Sequence, residues 1–458
     1  MPQALAQSDA PSAWLADLAP PEPAPALEGE RRVDVAVVGA GYTGLGAALA
    51  LRAEGARVAV IERETAGFGA SGRNAGFLTP GIGKDLPALL RAHGRERTRA
   101  LLDVAEAAVA YVERLIAGHA IDCGYRPTGN VKAAVHESQL RWLEREAREA
   151  RELGCDADWL DPPAMRKRGL PRAFLAGILE RRGGTLDPAR YARGLRRAAL
   201  EAGVELYEHT PLVSLEEGRE LVLVTPRGWV RAERAVLATN AYTHELGRLG
   251  SLAAPLWATV GRTRRLTRAE RSALEWPGGE GIYTGHQMLE ILRLTDDDRL
   301  LVSGKSVHYG FAGRSPRREP AAACALLARA LRDRLPELDV ALESLWGGPA
   351  AFTLDMLPAL GATGRHGNLL YAIGYAGHGV HLASFAGRML ADWMAGRQGP
   401  GRVLLERRHA SLPPEPLRWL ALRGASALLR WSDARVDRAA RRAGLMSRAA
   451  RDDPAGGA

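Results

Sequence analysis

Residues 33–62, VDVAVVGAGYTGLGAALALRAEGARVAVIE, constrain this chain more than any other segment. Val33 to Val38 is a nearly continuous apolar run, as a parallel strand buried on both faces requires. Gly39, Gly41 and Gly44 follow it as G-x-G-x-x-G. Gly39 makes the tight turn, Gly41 lets a pyrophosphate approach the backbone, and Gly44 lets the next helix lie close on the strand. The amides at the start of that helix, around Tyr42 and Thr43, then face the phosphates. Leu45 to Gly55 reads as the helix and Val58 to Ile61 as a second strand. Glu62 stands 18 residues beyond Gly44 and is followed by Arg63; a carboxylate there accepts both ribose hydroxyls of an adenosine and repels a 2′-phosphate. A lone glycine motif reads equally well as a structural turn, but strand, helix, second strand and acid in order outweigh that reading. The unit alone leaves NAD and FAD both open.

The second signal is Gly67-Phe68-Gly69-Ala70-Ser71-Gly72-Arg73-Asn74-Ala75-Gly76-Phe77. Its glycines and small residues make a poor strand or helix but a loop whose amides can approach a ligand closely. A flexible linker is the bland alternative. Arg73 and Asn74 are not linker residues, and the apolar chain resumes at Phe77-Leu78.

With this segment, ERETAGFGASGRNAGF, the chain resembles the FAD-dependent amine and amino-acid oxidoreductases of the glycine oxidase and D-amino-acid oxidase superfamily, and within it the gamma-glutamylputrescine oxidoreductase branch. Trp346-Gly347-Gly348, Thr353-Leu354-Asp355-Met356-Leu357-Pro358 and Gly374-Tyr375-Ala376-Gly377-His378-Gly379-Val380 are similar to that branch's blocks, in order and at compatible spacing. DPARY at 187–191 and ATNAY at 238–242 extend the resemblance over roughly residues 10 to 400. It implies FAD, held without a covalent bond, with Gly69, Ala70, Ser71, Arg73, Asn74, Ala75, Gly76, Leu212, Asn240, Asp355, Gly374, Gly377, His378, Gly379 and Val380 joining Gly39, Gly41, Tyr42, Thr43, Gly44, Glu62 and Arg63 as cofactor contacts. The implied fold is α/β plus α+β, with a Rossmann-type, glutathione-reductase-like FAD-binding domain, a mixed-sheet substrate domain and a C-terminal helical tail.

Leu369 to Ile373 reads as a buried strand, Gly374 to Gly379 as a tight turn, and Val380 to Met394 as a helix. A helix N-terminus beneath the flavin would stabilise the negative charge of its reduced form. His378 either adds a donor there or packs in the turn. His378 and His381 form an H-x-x-H without a third ligand signature, so no metal is expected.

The chain has 458 residues, 46% of them hydrophobic, which is enough for two to three domains. It has no apolar run of spanning length, and residues 1–32 lack a basic n-region and an apolar core, so no secretory signal is expected. Cys123, Cys155 and Cys324 are odd in number and far apart, which fits a reduced cytoplasm. The formal charge of +9 suggests nucleic acid, but residues 401–458 hold twelve Arg against six Asp plus Glu. Since 12 − 6 is +6, the body is near neutral and offers no basic groove. Pro416 to Met446 places Leu417, Leu420, Ala421, Gly424, Leu428 and Trp431 at helical spacing. That stripe packs on its own domain or a second subunit, or it binds the inner face of a membrane peripherally.

Motif order predicts an extended arm over 1–27, an FAD-binding domain in three parts (28–90, 183–245 and 345–400), a substrate domain in two (91–182 and 246–344) and a basic tail over 401–458. Trp14 or Leu15 would dock the arm. Met288 to Thr295 alternates, turns at Asp296-Asp297-Asp298 and returns as Arg299 to Ser303, a hairpin. Leu289, Ile291, Arg293 and Thr295 share one face, which the family uses as the pocket roof. Arg293 would then hold a substrate carboxylate, or it makes a surface salt bridge with a nearby aspartate. A register slip of one residue would turn Glu290 inward and favour a cationic amine. Tyr375 and Tyr309 are further polar handles.

Gly67 to Gly72 repeats the G-x-G-x-x-G spacing but lies within the loop already read and follows no apolar strand run, so no second strand-turn-helix unit is offered to a nicotinamide and electrons come from the organic substrate. The resemblance implies oxidation of the C–N bond of a small amine or amino acid by hydride transfer to the flavin N5, followed by imine hydrolysis. Oxygen or a quinone would be the acceptor. A flavin-dependent tRNA-modifying oxidase, and a flavin-bound protein serving membrane docking or assembly, are the alternatives.

Overall fold

The computed structural model describes residues 11–444 apart from 275, 306 and 317. The run at Val33–Val38 forms the inner half of strand Gly29–Val38, at the centre of an eight-stranded sheet. It lies parallel between Gly228–Leu237 and Val58–Ile61, with Val38 opposite both Leu237 and Ile61. Leu369–Ile373 and Glu205–Tyr207 extend the parallel sheet on either side. Ala359–Thr363 closes one edge antiparallel, and Ser214–Glu216 and Leu221–Thr225 add an antiparallel flap to Gly228–Leu237. Every residue of Val58–Ile61 is buried, as a strand covered on both faces requires.

Two helices border the carboxyl ends of these strands, Tyr42–Ala53 and Gly379–Met394, and they meet at backbone distance. A Cβ at Gly46 would lie 2.6 Å from the Ser384 carbonyl oxygen, and one at Gly387 would lie 2.2 Å from the Ala47 nitrogen. Only glycine permits that crossing. The long helix Leu86–Gly118 packs on the same layer, with Tyr111 against Phe385 at 5.5 Å between ring centroids. Residues 91–118 therefore sit with the cofactor sheet, although the sequence reading placed them in the substrate domain.

The second sheet has eight strands in the order Leu342–Phe352, Ala254–Arg265, Arg299–Gly304, Glu290–Leu294, Gly281–Thr284, Asn130–Ala134, Ala176–Glu180 and Ala157–Leu160. All its pairs are antiparallel except Gly281–Thr284 with Asn130–Ala134. The expected domain cut at 345 falls inside its first strand. Trp346-Gly347-Gly348 is a strand segment here, paired antiparallel with Ala258–Val260, and residue 347 must be glycine because a Cβ there would come within 2.3 Å of the Trp257 Nε1.

The arm carries a short helix, Ala13–Ala16, capped by Ser12. It then runs beside the first sheet, where Glu208 accepts the Ala24 amide and Thr210 accepts the Leu27 amide. Trp14 is buried. Residues 1–10 of the arm and 445–458 of the tail lie outside the described residues.

The tail forms one helix, Leu417–Arg442. Its orientation differs from the packed-stripe expectation. Leu417, Leu420, Leu428 and Trp431 face solvent, while the opposite side, with Trp419, Leu422, Asp433, Val436 and Ala440, meets the body. The reason is polar: Asp433 accepts the Gln287 and Met288 amides, both at 2.8 Å, so a charged side chain fixes the roll of the helix.

Candidate cofactor and substrate site

The turn at Gly39 takes φ +101, open to glycine at little cost. Gly44 does not line the cavity but packs beneath it, where a Cβ would lie 1.8 Å from the Gly39 carbonyl oxygen. The helix after it is capped by Gly41, has no acid in its first turn, and gives its Tyr42 amide to the Ser71 hydroxyl at 3.0 Å. A helix N-terminus so built is an anion site. Glu62 accepts the Ala40 amide at 2.7 Å and the Glu64 amide at 3.0 Å. Burial raises its carboxyl above the ordinary value, against the two amides that lower it. Arg63 lies over the Tyr242 ring and pairs with Glu245 at 2.8 Å.

Loop 67–77 is held from outside by its carbonyls. Ser12 Oγ donates to Gly72, Trp346 Nε1 to Arg73 at 2.9 Å, and Trp14 Nε1 to Asn74 at 3.1 Å. Arg293 donates to Gly76 at 3.0 Å and to Leu186 at 2.8 Å. Asn74 braces the loop from within, donating to the Ala70 and Ser71 carbonyls and accepting the Gly76 amide at 2.8 Å. Arg73 is buried and donates to the Phe68 and Gly347 carbonyls. Side chains from the arm and the second sheet thus occupy one side of the loop and set the other side against the cavity.

The third wall is the turn after Leu369–Ile373. Gly374 lies behind the cavity surface and donates its amide to Asn240 Oδ1 at 3.0 Å. The Tyr375 hydroxyl meets Thr43 Oγ1 at 2.6 Å, and burial pushes its phenol well above the ordinary value. Gly377, Gly379 and Val380 line the cavity, as do Leu212 and Asn240.

One cavity of about 420 Å³ joins these walls. It is lined by Gly39, Gly41, Tyr42, Thr43, Glu62 and Arg63 on one side and by Gly69, Ala70, Ser71, Arg73, Asn74, Ala75 and Gly76 on another. A family model described as FAD dependent oxidoreductase (DAO) matches residues 34–393. The chain belongs to this FAD-dependent oxidoreductase family. It is 31% identical over 367 residues to the gamma-glutamylputrescine oxidoreductase of Escherichia coli (strain K12), covering 79% of this chain and 84% of that protein. Among solved structures it is similar to glycine oxidase from Geobacillus kaustophilus, with a TM-score of 0.68 and 25% identity over 83% of this chain and 99% of that one. L-proline dehydrogenase from P. horikoshii shares the fold, with a TM-score of 0.67 at 18% identity over 83% of this chain and 98% of that one.

The oxidoreductase's cofactor is FAD, and the residues present fit it: a glycine cradle at a helix start, a ribose acid, and a cavity continuing to the second sheet. None of Cys123, Cys155 and Cys324 is among the lining residues described. Besides Gly44 and Gly374, three further expected site residues, Asp355, His378 and Arg293, are not among the lining residues. Asp355 accepts the Leu357 amide and pairs with Arg407, whose partnership 52 residues on has no local signature. His378 turns toward Gly81, whose added Cβ would meet its Nε2 at 3.1 Å. Burial lowers the His378 ring to about 4 and that of His381, which contacts the Gly81 carbonyl oxygen at 2.8 Å, to about 3. Arg293 is 3% exposed and lies over Trp14 at 5.3 Å, so neither expected role, pocket anion holder or surface ion pair, matches its position. Burial lowers its guanidinium to about 10, opposed by the charge of Asp187.

Of the hairpin face Leu289, Ile291, Arg293 and Thr295 expected as the roof, Ile291 lines the cavity, and the other roof residues had no sequence signal. Ala258, Val260, Ile291, Ser303, Gly348 and Ala350 face the cavity from the second sheet. The strand register puts Ile291 inward and Glu290 outward, where Glu290 pairs with Arg334 and Lys305. The slipped register is not the one observed. Tyr309 lies away from the cavity and donates to Glu415.

Proposed function

We propose that this FAD-dependent oxidoreductase oxidises the C–N bond of an alkylamine whose reacting carbon bears no carboxylate. The observation that carries this is the roof: its described cavity-facing side chains are small or apolar, and the one hydroxyl among them, Ser303, donates to the Thr259 carbonyl at 2.8 Å. Arg293, which strand alternation offered as the carboxylate holder, is engaged by two carbonyls. The E. coli relative is named for gamma-glutamylputrescine, which agrees with this choice.

Bound FAD supplies the acceptor for the two electrons of the oxidation. The chain's own residues bind and orient. The Tyr42–Ala53 helix start and Glu62 take the pyrophosphate and ribose, and loop 67–77 and the Tyr375–Val380 turn hold the other half of the cofactor. Val260 and Ile291 exclude water from the reacting carbon, and a neutral amine is favoured there because an ammonium would meet no described carboxylate on the roof. The resulting imine is hydrolysed to a carbonyl and an amine or ammonia. Anaerobic mixing with n-alkylamines and with α-amino acids tests the reading. Bleaching of the flavin by alkylamines at lower concentration supports it, and bleaching by α-amino acids alone overturns it.

A further inference from the structure

The C-terminal helix Leu417–Arg442 has two acids, and both face the body. Asp433 takes the Gln287 and Met288 amides. Asp437 lies 2.6 Å from Lys305 Nζ, 3.2 Å from His286 Nε2 and 3.4 Å from Arg334. The ligand atoms of His286, Glu290 and Asp437 lie within 4.8 Å of one another, but Lys305 and Arg334 pair with both carboxylates, so the cluster is an anchor for the helix. Trp419 and Leu422 pack beside Tyr309 and Leu412.

These anchors leave a described outer face without an acid. Leu417, Leu420, Leu428 and Trp431 are 59%, 55%, 64% and 55% exposed. They form one stripe with Ala421 and Gly424, which are also exposed. The charged residues along the stripe are arginines. Arg423 lies over Trp419 at 4.6 Å, Arg435 over Trp431 at 4.8 Å, and Arg430 reaches the Val307 carbonyl at 3.0 Å. Large apolar side chains held out in water beside arginines, with tryptophan among them, suit an interface that is oily below and anionic above.

We propose that this face docks the protein on an anionic lipid surface, with Leu417, Leu420, Leu428 and Trp431 entering the acyl boundary and Arg423 and Arg435 meeting the headgroups. The charge pattern selects lipid over a second copy of the chain: two copies meeting on this face would bring arginines against arginines. The anchoring acids keep the helix on the body, so docking needs no unfolding.

The test is sedimentation of the full-length holoprotein with vesicles of phosphatidylcholine alone and with phosphatidylglycerol added. The expected result is co-sedimentation with the anionic vesicles only, weakened by high salt. Leu428→Ser combined with Trp431→Ser should reduce it at least tenfold, and so should Arg423→Glu combined with Arg435→Glu, with flavin content and amine oxidation unchanged in both. Protein that stays in the supernatant with anionic vesicles overturns the proposal, as does binding unaffected by either pair. Light scattering that shows a dimer, dissociated by Leu428→Ser with Trp431→Ser, overturns it in favour of a second copy.

Discussion

Trp14→Ala should weaken FAD binding although Trp14 does not line the cavity. The arm grips loop 67–77 through Trp14 Nε1 on the Asn74 carbonyl and Ser12 Oγ on the Gly72 carbonyl. Trp14 also stands edge-on to Trp346 at 5.9 Å, and Trp346 itself holds the Arg73 carbonyl. Removing the indole frees the arm, so both hydrogen bonds go, each with a net value of about 1 kcal/mol. The lost aromatic edge adds about 0.5 kcal/mol. If that order must be restored when FAD binds, about 2.5 kcal/mol is taken from binding, a Kd weaker by roughly 60-fold at 1.4 kcal/mol per factor of ten. Titrating the apoprotein with FAD and following flavin fluorescence measures it, and circular dichroism checks that the body stays folded. A Kd within threefold of wild type in a folded variant would refute the claim that the arm orders the loop.

Gly41→Val should give a folded but colourless protein, because even a Cβ there lies 3.0 Å from Ser71 Oγ and a branched side chain fills the phosphate cradle; flavin absorbance of the purified variant reads this. Arg293→Met should lower stability by about 1–3 kcal/mol in urea unfolding, since the Leu186 carbonyl loses its guanidinium while the Gly76 carbonyl keeps the Leu186 amide. The KM for amines should hardly move, and a selective rise for a carboxylated amine would restore Arg293 as a substrate residue. His378 and His381 are held neutral, at about 4 and about 3 against an ordinary 6.5. The unfolded chain therefore takes up protons first as the pH falls below 6.5, and stability drops from there toward pH 4. His381→Asn should show a shallower drop in unfolding free energy over that window, and an identical slope would show that the ring is not held neutral.

The cofactor cradle was legible because each part has its own local signature: an apolar run, glycines at fixed offsets, an acid at a strand end. The same holds for the strand and turn around Gly374–Val380. What stayed hidden was long-range. Arg293 shares the Ile291 face of its strand, as alternation predicts, but its length carries it to the carbonyls of residues 76 and 186, which no spacing reveals. Asp355 lies in a recognisable block, yet Arg407 takes it. Apart from Ile291, which alternation placed on the roof face, the roof residues Ala258, Val260, Ser303, Gly348 and Ala350 carry no chemical signal until the sheet assembles them. In the tail, helical periodicity found the apolar stripe, but amides at Gln287 and Met288 choose the packed face.

The central claim is that bound FAD takes electrons from an amine. Purified protein, made anaerobic, should show oxidised flavin absorbance near 450 nm, an approximate property of flavins in general. Adding an n-alkylamine should bleach it within seconds to minutes while NADH leaves it unchanged, and acid precipitation should release the flavin as free FAD. A colourless protein, or a flavin bleached by NADH and indifferent to every amine and amino acid tried, would contradict the account.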